Sequence, residues 1–167
     1  MTSNRLSNWI SIAANVGVLI GVVFVAFEIR QNTAISRAAV NQSHNDAYRA
    51  FRAHVINDAD VARIWLAGRR GRPLSEVDQY RFTELVYDRM VPAYTTFVQA
   101  RAVDDPAAAE RIAQIFSPIL TCPGVRQVWD DSPFGQESAP ESVDAFRRAV
   151  LEGLEMNTFG ALCGAGD

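Results

Sequence analysis

The stretch from Asn8 to Phe27, NWISIAANVGVLIGVVFVAF, constrains this chain more than any other. No charged residue lies between Arg5 and Glu28. A helix rises about 1.5 Å per residue, so a run of this length just covers a hydrocarbon core of roughly 30 Å. The apolar residues circle the whole helical wheel. That pattern marks a helix buried on all sides or immersed in lipid, not a surface helix with one apolar stripe. A domain of about 140 residues has little interior in which to enclose such a helix on every face. A membrane-spanning helix is therefore expected. A cleaved signal peptide fits less well, because its apolar core is usually about 7–15 residues. The only small-x-small site downstream, Ser36-Arg37-Ala38, lies beyond Glu28, Arg30 and Arg37.

Within the span, Trp9 sits at the start, where an amphipathic ring favours the headgroup level. Ala13, Gly17 and Gly21 recur every four residues and place small side chains on one face, where a second helix can approach closely. Asn15 is the strongly polar side chain mid-span, and in lipid its amide seeks a partner. These four residues are the expected helix–helix interface. Glycine is also common in membrane helices for its own sake. Orientation is less constrained. The short N-terminal side offers Arg5 and the α-amino group; the other offers Arg30 and Arg37. The arginine balance, together with cysteines that form no evident framework, leans towards a cytoplasmic C-terminal domain.

All 16 residues in the Lys+Arg total are arginine, which rules out Schiff-base chemistry, pyridoxal-phosphate attachment and a phosphate-loop lysine. Residues 1–27 carry only Arg5, so the remainder holds 15 basic against 19 acidic residues. That mild acidity argues against a nucleic-acid partner. Cys122 and Cys163 could be bridged, but two cysteines make no scaffold, and they read as buried or inert thiols.

Past the span, residues 28–57 contain neither Pro nor Gly and are rich in good helix formers, so the helix is expected to continue. Asp58 reads as the N-cap of a short helix carrying Val61, Ile64 and Trp65. Ser75 and Asp78 resemble a capping box opening a long helix, which Pro92 should kink or split. Asp105-Pro106 marks another start, Cys122-Pro123-Gly124 a third, and residues 140–156 form an amphipathic helix with Val143, Phe146, Val150, Leu151 and Leu154 inward. No alternating strand pattern occurs. The expected class is all-α: a leader (1–7), a transmembrane helix (8–27), an irregular helical bundle (28–157) and a fraying tail (158–167).

Asn8-Trp9 with SIAANVGVLIG (11–21), the run Glu28-Ile29-Arg30-Gln31-Asn32-Thr33, and Ala62-Arg63-Ile64-Trp65-Leu66-Ala67-Gly68 together resemble a group of uncharacterised bacterial membrane proteins with one N-terminal span and a small helical domain. The resemblance implies a bacterial inner-membrane location and carries over no functional residue.

The search for chemistry yields little. His44 and His54 lie about 80° and about 15 Å apart on a helix and cannot share an ion there. Neither completes a Glu-x-x-His pair. Asp58-Ala59-Asp60 lacks the glycine and closing glutamate of a calcium loop. There is no Gly-x-Ser-x-Gly, and the tail glycines follow no strand. No metal, cofactor or catalytic residue is assigned. Arg69, Arg70 and Arg72 form a basic loop able to touch anionic lipid, or simply a solvated one. Tyr80, Tyr87, Tyr94 and Val98, at spacings of seven, seven and four, read as a packing seam or core positions or, less simply, a ligand groove lined by the tyrosines. The expected function is non-enzymatic: a single-pass protein whose helical domain makes contacts with itself or with another membrane protein. The alternative is a membrane-tethered sensor binding a small ligand in the bundle.

Overall fold

The computed structural model describes residues 3–137, 139–156 and 163. Six α-helices follow one another: α1 Ser3–Asn57, α2 Ala59–Arg69, α3 Glu76–Ala102, α4 Pro106–Phe116, α5 Pro123–Asp131 and α6 Glu141–Met156. A 3₁₀ turn, Ser117–Thr121, joins α4 to α5. No strand occurs among the described residues. The chain is all-α, as its patterning requires. It divides into two compact units, Met1–Ala38 and Ala39–Asp167.

In the first unit every side chain from 14 to 30 is exposed. Val18, Leu19, Val23, Phe24 and Phe27 are each about two-thirds accessible. This helix is long and apolar enough to cross a membrane.

The second unit starts with the last turns of α1. Val40 and Phe51 are buried, whereas Tyr48 and Ile56 are exposed. Asp58 caps α2, its carboxylate accepting from the backbone N–H of Asp60 at 2.8 Å and of Val61 at 3.2 Å. Ile64 and Trp65 point inward as expected. Ser75 accepts from the Asp78 N–H at 3.2 Å, so half of the capping box is present. The Asp78 carboxylate instead meets Arg63 at 3.1 Å.

The long helix α3 is not split at Pro92; it is assigned without interruption to Ala102. Its buried stripe is Phe82, Val86, Met90, Ala93, Phe97 and Ala100, a 3.6-residue repeat. The seven-residue tyrosine row drifts off that stripe, leaving Tyr80 exposed and Tyr87 and Tyr94 half-buried. Asp105 caps α4 through the Ala108 N–H at 3.0 Å, and Pro118 turns its end into the 3₁₀ segment. In α6, Phe146 and Val150 are fully buried, with Val143, Leu151 and Leu154 at the margin.

Phe146 is the hub of the core. Its ring lies 5.3–6.1 Å from those of Tyr94, Phe97, Phe116, Trp129 and Phe134. A second aromatic line, Phe51–Trp65–Phe82, joins α1, α2 and α3, with ring centroids 5.0 and 5.9 Å apart. Such pairs add about 0.5–1.5 kcal/mol each beyond area burial. The start of α5 presses its backbone onto the end of α2. A Cβ at Gly124 would run into the Gly68 carbonyl oxygen, and one at Gly68 into the Phe82 ring.

The cysteines correct the sequence reading. Cys122 and Cys163 form a disulfide, with Cα atoms 4.9 Å apart. Two lone cysteines carry no pairing signal in sequence, and only the fold brings them together. The bridge fastens residue 163 to the fully buried Cys122. The expected fraying of 158–167 otherwise lies outside the described residues.

Candidate functional site

Two sets of residues stand out, one in each unit. In the first, Asn15, Gly17 and Gly21 lie on the exposed helix surface, and a Cβ added at either glycine meets nothing within 4 Å. The Ala13 side chain lies outside the described residues.

The second set lies within residues 39–167. A cleft of about 350 Å³ opens between the last turns of α1, α2, α3 and the 3₁₀ turn. Its walls are apolar: Tyr48, Phe51, Val55, Trp65 and Ile119, with the disulfide at Cys122. Three arginines reach it from three different helices: Arg52 from α1, Arg69 from the last turn of α2, and Arg89 from α3. The Arg89 guanidinium stacks over Tyr48 at 4.6 Å and Phe51 at 5.2 Å. The Arg52 guanidinium lies 5.8 Å from the centroid of the same Tyr48 ring. Cation–π contact satisfies the faces of these groups, but their N–H edges still require acceptors. The Nε atoms of Arg69 and Arg89 are buried and have no hydrogen-bond partner. Among the described residues none of the three arginines pairs with a carboxylate, whereas Arg63, Arg81, Arg126, Arg147 and Arg148 all do.

Burial holds the Arg89 pKa below its ordinary value, with Tyr48 and Asp88 opposing that shift. The guanidinium stays protonated at neutral pH. Next to it a crevice of about 20 Å³ is lined by His44, Tyr48, Arg89 and Pro92. Desolvation, then the nearby Arg89 charge, lowers the pKa of His44. The imidazole is therefore neutral at pH 7, and its buried Nδ1 has no partner.

A wider groove beside it carries the opposite charge, with Asp58, Asp60, Glu84 and Asp88 near His54. Much of this acidity is already engaged. Asp58 caps α2, and Asp60 pairs with Arg63 at 2.7 Å and Arg81 at 3.1 Å. His44 and His54 thus line different depressions. Cys122 lies at the cleft, but its sulfur is committed to the disulfide and carries no nucleophile. No group of three or more His, Cys, Asp and Glu that could hold a metal occurs among the described residues.

Of the expected basic loop, Arg70 and Arg72 are exposed, while Arg69 turns into the cleft. Of the tyrosines of α3, Tyr80 borders the acidic depression, while Tyr94 bonds Ser142 at 2.8 Å and packs against Phe134 and Phe146. Arg52 and Arg89 were not singled out by sequence, for their spacing along the chain forms no motif. No family model matches the chain, and comparisons with curated proteins and with solved structures return no match.

Proposed function

We propose that this chain is a single-pass protein of the bacterial inner membrane whose helical domain is a non-catalytic interaction module, self-associating or serving a larger membrane assembly. The observation that carries the reading is the uniformly exposed apolar surface from Ala14 to Ile29. Leaving about ten large apolar side chains in water is far outside what a soluble surface tolerates as one contiguous patch. Lipid removes that cost. The small-residue face at Gly17 and Gly21 supports a helix partner within the bilayer.

The disulfide changes the expected side of the membrane. Such bonds persist in oxidising compartments and are rare in the cytosol. Against an oxidising side stand only the ease of translocating the short leader and a weak arginine balance, Arg30 and Arg37 beyond the span against Arg5 and the α-amino group before it. On this basis the helical domain faces the periplasm.

Binding, not catalysis, is also the reading favoured by the cleft. Arginines hold their charge and exchange no proton at neutral pH, so their convergence recognises an anion more readily than it performs acid–base chemistry. The test is extraction of membranes from the native host with alkaline carbonate, followed by native mass determination in mild detergent. Retention in the membrane with a homo-oligomer or a stoichiometric partner is expected. Release by carbonate would overturn the membrane reading, and a lone monomer would overturn the interaction reading. Substitution of both Gly17→Ile and Gly21→Ile should abolish self-association in a membrane two-hybrid assay; an unchanged signal would remove that face from the account.

A further inference from the structure

We propose that the three-arginine cleft binds an amphiphilic organic anion, with its oxyanion head on Arg69 and Arg89 and its apolar body against Tyr48, Phe51 and Trp65. The inference rests on the cleft alone and does not depend on membrane insertion.

Three observations meet at this place. The cleft, at about 350 Å³, falls in the size range of small-molecule sites, which pair apolar walls with a few convergent polar groups. Its charged groups are all of one sign, and none forms a salt bridge with a described carboxylate; Asp88 acts on Arg89 only through its field. Two of them, Arg69 and Arg89, keep the Nε–H buried and without an acceptor. A buried N–H donor left without an acceptor is costly, more so on a charged group, unless something pairs with it. Elsewhere in the same domain the chain supplies acids to its arginines within a single helix, as with Arg126–Asp130 at 2.9 Å and Arg147–Asp144 at 2.7 Å. It does not do so here, in a domain with more acidic than basic residues.

The planar fork of Arg matches a carboxylate or a phosphate by paired N–H donors, and such charge-assisted bonds are about twice as strong as neutral ones. The Tyr48 and Phe51 rings lie under the Arg89 guanidinium at 4.6 and 5.2 Å and favour its position before any ligand arrives. Apart from the arginines the walls are mostly rings and branched aliphatics, suited to an alkyl or aryl body. An inorganic ion alone would leave that apolar wall without a role.

Such an anion can come from solution or from a lipid, and the two sources are separable. The full chain in phosphatidylcholine nanodiscs is titrated by calorimetry with octanoate, octyl phosphate, inorganic phosphate and octyltrimethylammonium, with empty nanodiscs as reference. Octanoate or octyl phosphate should bind saturably, once per chain, with inorganic phosphate at least tenfold weaker and the cation not at all. Arg69→Gln and Arg89→Gln should each weaken binding at least tenfold, with helix content and melting temperature showing that each variant is folded; Arg52→Gln, at the cleft mouth, serves where either fails to fold. Phosphatidylglycerol in the nanodisc should compete if the ligand is a lipid and leave octanoate binding unchanged if it is free; either result supports an amphiphilic anion and identifies its source. No saturable binding above empty nanodiscs, equal binding of the cation, or affinity unmoved by the arginine variants would overturn the proposal. Inorganic phosphate binding as tightly as octanoate would overturn the role of the apolar wall. A chain that does not enter nanodiscs contradicts the membrane reading instead, and is titrated in buffer.

Discussion

Replacing Cys163 by serine isolates the contribution of the disulfide. The bridge closes a loop of sequence separation 41. Chain-entropy arithmetic for a loop of that length removes about 13 cal/mol/K from the unfolded ensemble, or about 4 kcal/mol at 25 °C. Little is lost in the folded state, because the remaining Cys122 thiol is fully buried and a free cysteine behaves there as a small apolar residue. Unfolding entropy is about 2.1 cal/mol/K per residue, so for a unit of roughly 130 residues 4 kcal/mol corresponds to a melting temperature lower by about 15 °C. The assay is thermal and urea unfolding in nonionic detergent followed by tryptophan fluorescence, with Trp9→Phe in both proteins to silence the anchor. Reductant should bring the parent protein to the behaviour of Cys163→Ser and leave the variant unmoved. A difference below about 1 kcal/mol, or a parent indifferent to reductant, would refute the reasoning.

Other perturbations follow from the same packing. Gly124→Ala should destabilise by about 1–3 kcal/mol in chemical unfolding, since the new methyl group strikes the Gly68 carbonyl and the two helices must part; a neutral or stabilising result would mean the contact between α2 and α5 is looser than described. Phe146→Ala should cost about 3–5 kcal/mol, as the ring at the hub is wholly buried, and a loss under 2 kcal/mol would contradict its place in the core. The His44 pKa is lowered by burial, so the unfolded chain takes up a proton first as pH falls below the ordinary value of 6.5. The stability tied to neutral His44 is complete above that value and lost as pH drops towards the folded pKa. His44→Gln should therefore flatten the pH dependence of unfolding between about pH 7 and pH 5; an unchanged slope there would assign it to other groups.

Local chemistry made much of the fold legible. Asp58, Ser75 and Asp105 are caps by residue type and position, and the structure shows each accepting the expected backbone N–H. The apolar period of α6 places Phe146 and Val150 inward because a helix leaves them no other face. Seven residues fall short of two turns, so the tyrosine row of α3 drifts along the helix: Tyr87 and Tyr94 still pack against the core, and Tyr80 is left exposed. Pro92 costs one backbone hydrogen bond, but packing by Met90, Ala93 and Phe97 on either side is compatible with an unsplit helix. The disulfide and the arginine cleft are products of tertiary proximity. Cys122 with Cys163, and Arg52 with Arg69 and Arg89, are distant in sequence and share no periodicity that could announce their meeting. Arg69 illustrates the limit best: in sequence it belongs to a basic loop with Arg70 and Arg72, yet it is the last residue of α2 and turns inward while the other two stay in solvent.

The central claim is an anchored helical domain held on the oxidising side of a membrane, and thiol counting in the native host tests it most directly. Intact cells are quenched in acid, carbonate-washed membranes are prepared and denatured, and a polyethylene-glycol maleimide is added with and without prior reduction. The account predicts a chain retained in the membrane that takes no tag before reduction and two after it. A chain in the membrane that takes two tags without reductant would contradict the placement of the domain, and a chain absent from the washed membrane would contradict the anchor itself.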